Sequence, residues 1–498
     1  MLLKDLISEA AVPGPVIGTV GEVDLQSLCY DSRTADASSG FVCLTGTHAD
    51  GHRFAADAYE RGCRVFFVEH EVSLPEDAVQ VICENTRASL AVLSDAFFHH
   101  PQKELRLIGI TGTKGKTTTA SFLTAILNAA GKKAGLIGTT GITYCGKTVP
   151  TVNSTPESYV LHHAFRNMAD AGIEYVVMEV SSQALFNHRV DGISFDCGIF
   201  TNLSRDHIGD GEHPDFDHYK ACKKRLFSMC DCSFLNADSP FCREFSEAAG
   251  ERVRYFGMIT PDSSSDRELD LNLAGEGMEP WKDQSDLGIR FSMREQGREQ
   301  GACALRVPGL FNVSNALGAA AVARWYGISF QTIRSALESA RVPGRFETVD
   351  AWPFCAAVID YAHNGTSMEE LLRTVRSYRP SRIVCVFGSV GGRTKERRRE
   401  LAEAAGMLAD FCVVTTDNPD DEDPGQIVSD ICSSFPEGSC PHVGIVDREE
   451  AIIYTLSQAK EGDVLLFCGK GHENYQLIHG IKEPFSEREI IESFCHRG

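Results

Sequence analysis

No stretch of this chain stays apolar for the roughly 20 residues that a membrane-spanning helix needs, so a helical membrane protein is not expected. Positive charge is also short. The 48 Lys and Arg stand against 69 Asp and Glu, a formal net charge of −21, which argues against non-specific binding to nucleic acid or to an anionic membrane. Cysteine is present, but its pairing signals are missing. The 18 cysteines are scattered singly, without a Cys-x-x-Cys, and Cys230 and Cys232 have no second pair to make a zinc knuckle. Buried, reduced thiols in a cytosolic protein are the reading. The N-terminus, from Met1 through Lys4 and Asp5 to Glu9, breaks its apolar pattern with charges and does not read as a signal peptide. Neither an internal repeat nor a low-complexity tract is visible.

What is present is an alternation of short apolar runs with helical patterns over 498 residues, enough for about three domains at ~150 residues each. Strands are expected at 40–44 and 65–68, then at 105–110, 175–180 and 197–200, and finally at 356–359, 383–387, 412–415 and 464–468. Helices are expected at 51–62, 120–130, 316–326 and 396–408. The fold class is therefore α/β in three domains, 1–103, 104–342 and 343–498. The central one carries a P-loop-type, mostly parallel sheet and the last a Rossmann-like doubly wound sheet. Ligands of such sheets gather at the carboxyl ends of the strands.

The chemistry concentrates at Gly112-Thr113-Lys114-Gly115-Lys116-Thr117, between the 105–110 strand and the 120–130 helix. A Gly-rich turn there aims backbone N–H groups and a helix N-terminus at one point, which suits phosphate. Lys116 adds a positive charge for the outer phosphates, and the Thr117 hydroxyl is placed for magnesium. The general pattern G-x-x-x-x-G-K-[ST] is not met in register, because Ile110 stands where its first glycine belongs. An ATP site is still the reading. Glu179 closes one strand and His207 lies just past the end of another, so a Glu, a His and a Thr are available to magnesium, which needs few protein ligands. On composition alone Lys223 is a surface lysine. Asp360-Tyr361-Ala362-His363 follows another strand, Arg393 and Lys395 offer positive charge to an anionic ligand, and Glu473, after Gly469-Lys470-Gly471-His472, is suited to an amine.

Taken in order, these motifs resemble the Mur ligase family over essentially the whole chain. They are Thr111–Thr117, Met178–Ser182, Thr201–His207, Tyr219–Lys223, Asp360–His363, Asp417-Asn418-Pro419 and Gly469–Glu473. Within that family they look like the enzymes that add the third peptide residue to a peptidoglycan precursor. The resemblance implies ATP-dependent ligation through an acyl phosphate on the D-glutamate of UDP-MurNAc-L-Ala-D-Glu. It implies that Lys116 and the loop Gly112, Thr113, Lys114, Gly115, Thr117 and Thr118 hold ATP, with Asn312, Arg345, Asp360 and His363 around the adenosine. Magnesium would be held by Thr117, Glu179, His207 and Lys223, the last as a carbamylated lysine, and Lys116, His207 and Lys223 would be the catalytic set. The uridine nucleotide would meet Asp31, Ser32 and Arg33, and the muramoyl-dipeptide would meet Ser154, Thr155, Ser181, Asn187 and Arg189. Arg393, Asp417, Asn418, Asp420, Gly469 and Glu473 would receive the incoming diamino acid. A cytoplasmic monomer without nucleic-acid or membrane partners is expected.

One departure bears on that amino acid. In the family's diaminopimelate-adding members, the residue after the motif's Pro is an arginine that grips the distal carboxylate. Here it is Asp420, followed by Asp421, Glu422 and Asp423. Like-charge contact predicts rejection of meso-diaminopimelate in favour of L-lysine or L-ornithine. The diaminopimelate reaction is the alternative, with a folylpolyglutamate-synthetase-like ligase or a non-catalytic homologue further off.

Overall fold

The computed structural model describes residues 1–496, apart from 47–48, 210–211, 261–269, 284–285, 350–351 and 393. It forms two compact units, one built mainly from Met1–Gly257 and Leu317–Thr332, the other from Ala274–Ala316 and Ile333–Gly498.

The first unit holds two sheets. In the N-terminal sheet Ser27–Cys29, Ser39–Val42, Val65–Val68 and Val79–Ile82 run parallel, and Val16–Ile17 pairs antiparallel on the far edge. Val65–Val68 is apolar at all four positions because both its faces are covered. In the second sheet Arg106–Thr111 lies between Phe195–Phe200 and Tyr175–Glu179, parallel to both. Ala134–Gly138 continues the parallel array on one side, and Cys230–Asn236 and Val253–Ile259 continue it on the other. Antiparallel Gly141–Tyr144 and Lys147–Val149 finish the edge beyond Ala134–Gly138. The helix Thr86–Phe97 of the N-terminal segment ends against Ser158–Asp170, where Phe97 and Phe98 meet Tyr159 at ring-centroid distances of 6.2 and 5.1 Å. That packing is why the N-terminal and central sheets, which the sequence separates near residue 103, fall into one unit.

The second unit carries a six-stranded sheet in the spatial order Glu347–Val349, Ala356–Asp360, Asp463–Cys468, Arg382–Phe387, Phe411–Val414, His442–Gly444. All but the first strand are parallel. A hairpin, Tyr475–Ile478 with Ile481–Pro484, stands apart from it, and Asp286–Glu295 pairs antiparallel with Arg298–Leu305. The α/β class with a mostly parallel central sheet and a doubly wound C-terminal sheet is as the sequence led one to expect. Among the described residues the cysteines are free thiols, nearly all of them shielded from solvent. No helix among the described residues is long and apolar enough to cross a membrane.

Candidate active site

Arg106–Thr111 delivers the glycine-rich loop at its carboxyl end, and the helix Lys116–Ala129 begins at once behind it. The helix starts four residues earlier than the sequence pattern suggests. Gly115, at φ +84°, supplies the left-handed turn that lets Lys116 open the helix. Gly112 answers a different demand. A Cβ there would lie 1.9 Å from Thr201 Oγ1, so the loop passes too close to the next strand's end for any side chain. That end also pins the loop. Asn202 accepts Lys114 N–H through Oδ1 at 3.0 Å and Thr113 N–H through its own carbonyl at 2.9 Å. Thr113 Oγ1 lies 3.0 Å from the buried Tyr219 hydroxyl.

Two lysines converge inside this loop. Lys116 Nζ donates to the carbonyls of Gly112 (2.8 Å) and Thr113 (3.0 Å), and Lys223 Nζ donates to the same Gly112 carbonyl at 2.9 Å. Lys223, a surface lysine by composition, is 1 % exposed. Burial, and then the neighbouring Lys116 charge, push its amine well below the usual lysine range, toward the neutral form. Glu179 is as deeply buried, and both its oxygens meet Thr139: Oε1 accepts the N–H at 2.8 Å and Oε2 the hydroxyl at 3.2 Å. Thr117 Oγ1 reaches the same Thr139 hydroxyl at 3.4 Å. Thr117, Glu179 and their bridge Thr139 therefore form an oxygen-rich corner, the chemistry that magnesium selects. His207 is turned differently, at φ +54° with Nδ1 3.2 Å from Glu212 Oε1.

Among the residues expected to meet the muramoyl-dipeptide, Thr155 Oγ1 donates to the Glu179 carbonyl at 2.9 Å and accepts Ser181 N–H at 3.1 Å, while Ser181 caps Ser182–Phe186. Ser154 directly precedes Thr155. Arg189 faces Glu157 at 2.8 Å and donates to the Thr155 carbonyl, and Asn187 bonds back to Gln183. Asp31 caps the turn Ser32–Thr34 and holds the exposed Arg33 guanidinium at 2.6 Å.

Within the second unit, Asp360 ties down the loop that carries Arg345 by accepting Phe346 N–H (2.7 Å) and Ala362 N–H (2.8 Å). Arg345 lies over the Tyr361 ring at 4.7 Å, and burial lowers the His363 imidazole to about 4. Asn312 donates to the Pro308 carbonyl and accepts from the Asn315 side chain, within the first turns of the helix Leu310–Trp325. Beside Gly469, a residue quoted in the sequence motif but given no task becomes central. The buried Lys470 amine donates to Asn418 Oδ1 at 2.9 Å and lies 3.3 Å from Glu473 Oε2 and 3.7 Å from Asp417 Oδ1. Asn418 Nδ2 completes the group by donating to Glu473 at 2.8 Å. Thr139 and Lys470 were both missed in the sequence, although each follows a strand end closely, which was the signal to use. Arg393 lies outside the described residues.

Asp420 requires a correction. Its expected part was to face the incoming side chain and repel a carboxylate. Instead Oδ1 accepts Gly480 N–H at 2.8 Å, its own N–H donates to the Leu477 carbonyl at 2.9 Å, and its backbone sits at φ +52°. Asp420 thus fastens the 475–484 hairpin. The other acids are employed in the same way. Asp421 meets His479, Glu422 accepts from Arg398 (2.6 Å) and Gly392 N–H (2.9 Å), and Asp423 caps Pro424–Cys432. The Arg398 guanidinium holds the Glu422 carboxyl below its ordinary range. Asp420, Glu422 and Asp423 thus each have a partner within the fold, while Asp421 stays largely exposed beside His479.

Comparison with known proteins agrees with the geometry. Three family models match in order: "Mur ligase family, catalytic domain" at residues 24–107, "Mur ligase middle domain" at 110–323 and "Mur ligase, glutamate ligase domain" at 344–471. The chain is 37 % identical over 494 residues to the UDP-N-acetylmuramoyl-L-alanyl-D-glutamate–2,6-diaminopimelate ligase of Clostridium perfringens, covering 99 % of both. It is 37 % identical over 470 residues to the protein of the same name from Caldanaerobacter subterraneus, covering 94 % of both. A solved structure of a ligase so named superposes with a TM-score of 0.65 at 25 % identity over 95 % of each chain. MurF ligase from Thermotoga maritima, solved in complex with ADP, shares the fold at a TM-score of 0.60 and 17 % identity, over 95 % of this chain and 98 % of that one.

Proposed function

The chain belongs to the Mur ligase family and is an ATP-dependent, ADP-forming ligase, and on that premise we propose that it adds meso-diaminopimelate to UDP-MurNAc-L-Ala-D-Glu. The observation that carries the chemistry is the meeting of Lys116 and Lys223 on the Gly112 carbonyl at the head of a helix. A single carbonyl does not require two lysines, one of them buried. Two amines at a helix N-terminus suit a polyphosphate.

In this reading ATP supplies the phosphoryl group that turns the D-glutamate side-chain carboxylate into an acyl phosphate. The amine of the amino acid displaces that phosphate and forms the amide. The loop N–H groups and Lys116 hold the polyphosphate and offset its charge. Thr117, Glu179 and Lys223 would hold a magnesium ion, which would supply positive charge against the phosphate oxygens. Lys223 enters that set after its neutral amine adds to carbon dioxide, releasing a proton and giving a carbamate, an oxygen ligand in place of a cation. His207, now beside Glu212, would be the further ligand of that set. Residues 1–103 bind the uridine end, with Ser154, Thr155, Ser181, Asn187 and Arg189 against the muramoyl-dipeptide. Asn312, Arg345, Asp360 and His363 bind the adenosine. Arg393, Asp417, Asn418, Gly469 and Glu473, with Lys470 added, receive the amino acid. The protein works as a monomer.

The choice of diaminopimelate rests on the names of the relatives at 37 % identity and on the structural employment of Asp420. L-Lysine or L-ornithine is the second reading, favoured by one observation: Asp420 stands where the resemblance places an arginine. Product formation with the three amino acids in parallel tests the proposal. Diaminopimelate is expected to give the highest kcat/KM by tenfold or more, and a preference for lysine overturns the reading.

A finer test addresses Asp420 itself. Asp420→Ala is expected to lower Tm, because a hydrogen bond contributes about 0.5–1.5 kcal/mol net. The ratio of kcat/KM for diaminopimelate over lysine should stay within about threefold, ~0.7 kcal/mol. A tenfold change in that ratio, measured in the same assay, returns the carboxylate to the amino-acid site.

A further inference from the structure

The helix Phe216–Lys224 that carries Lys223 also carries a second group of ligand atoms that the ligase chemistry does not use. His218 and Cys222 are four residues apart and therefore share one helical face. His213, two residues before the Asp215 cap, folds back onto that face. His213 Nδ1 lies 2.9 Å from His218 Nδ1, Cys222 Sγ lies 3.8 Å from the same nitrogen, and one ligand atom from each of the three residues lies within 4.8 Å of the other two. Tetrahedral zinc with Zn–N of about 2.0–2.1 Å and Zn–S of about 2.3 Å sets its ligand atoms roughly 3.3–3.6 Å apart; the imidazole nitrogens stand closer than this and the thiol slightly farther, so small side-chain rotations bring the three to that spacing.

Burial is the independent observation: His213 is 0 % exposed and Cys222 5 %. A hydrogen bond between the two imidazoles accounts for one pair of nitrogens. It does not explain why a buried thiol completes the triangle beside them. Phe186 closes the group on one side, with its ring 4.9 Å from His218 and 5.9 Å from His213.

We propose that His213, His218 and Cys222 form a three-ligand site for a thiophilic divalent cation of the zinc class, separate from the magnesium corner at Thr117 and Glu179. Two imidazoles and a thiolate select a soft or borderline metal, whereas carboxylate and hydroxyl oxygens select magnesium. The two sites are linked through the chain. His213 N–H donates to the His207 carbonyl at 3.0 Å, and Cys222 is adjacent to Lys223. A cation on the His/His/Cys group therefore ties the segment bearing His207 to the helix bearing Lys223.

Cobalt(II) reports this site directly, because a thiolate–cobalt bond gives charge-transfer absorption that oxygen and nitrogen ligands do not. The full-length protein, freed of metal and kept in excess magnesium, is titrated with cobalt(II). One equivalent is expected to produce the thiolate band and to be displaced by one equivalent of zinc. The band should be lost in Cys222→Ser, lost or strongly reduced in His218→Gln, and unchanged when the exposed Cys145 is replaced by serine. Circular dichroism of each variant in magnesium alone establishes that it is folded, and the His218 and Cys222 variants serve independently should one fail to fold. Absence of a thiolate band in the unaltered protein, or its full persistence in Cys222→Ser, overturns the proposal.

Discussion

Lys223→Ala is expected to lower turnover by at least two to three orders of magnitude, the loss of about 10²–10³ that follows removal of one preorganised charge-stabilising group. The side chain is buried, bonded to the Gly112 carbonyl at 2.9 Å and held toward its neutral amine by burial and by Lys116. A neutral amine is the form that adds carbon dioxide. Because the amine's pKa is lowered, the neutral fraction is lost only as the pH falls through that lowered value. Turnover limited by this group should therefore decline on acidification and not on a moderate rise in pH. A short-chain carboxylate that fits the space left by alanine should restore part of the activity, since the carbamate is an oxygen ligand. Phosphate release with and without the added carboxylate reads both effects. Full activity in the unrescued variant removes Lys223 from the metal's surroundings.

Lys116→Ala is expected to have an effect of the same order for a different reason. Its amine lies within the loop, donating to two successive carbonyls at 2.8 and 3.0 Å. It thus puts a full charge where a chain of net charge −21 must receive a polyphosphate. Removing it leaves the loop backbone and the helix N-terminus to hold the anion, and partial charges at a helix end contribute only about 0.3–1 kcal/mol at an exposed site. Formation of the acyl phosphate should fall by at least about a hundredfold, and added carboxylate should not rescue it. That difference separates Lys116 from Lys223. Undiminished phosphate release in Lys116→Ala would remove the loop from the reaction.

Much of the architecture was legible along the chain, and the errors have local causes. The 65–68 strand is met to the residue, and the apolar strands of the C-terminal sheet shift by a residue at most at either end. Helix starts were harder to place. Lys116-Thr117-Thr118-Thr119 contains three β-branched residues, and Asn312, Ser314 and Asn315 favour caps over helix interiors, so both helices were expected to begin later than they do. In each case a local device carries the helix through: the left-handed Gly115, and the bonds from Asn312 to Pro308 and from Asn315 to Asn312.

The sequence alone determined the α/β class, the order of the motifs and the place of the glycine-rich loop between strand and helix, because strand burial, glycine-rich turns and lysine charge are all written in consecutive residues. Only the tertiary structure decided what distant residues do to one another. It buried Lys223 against a carbonyl 111 positions away, set Lys470 among Asp417, Asn418 and Glu473, and brought His213 onto the face of His218 and Cys222. It also gave the Asp420 carboxylate a structural partner, the N–H of Gly480, 60 residues on. A carboxylate's charge can be read from the chain, but its partner cannot. Whether it repels a substrate or holds a turn depends on which N–H the fold places within about 3 Å of it.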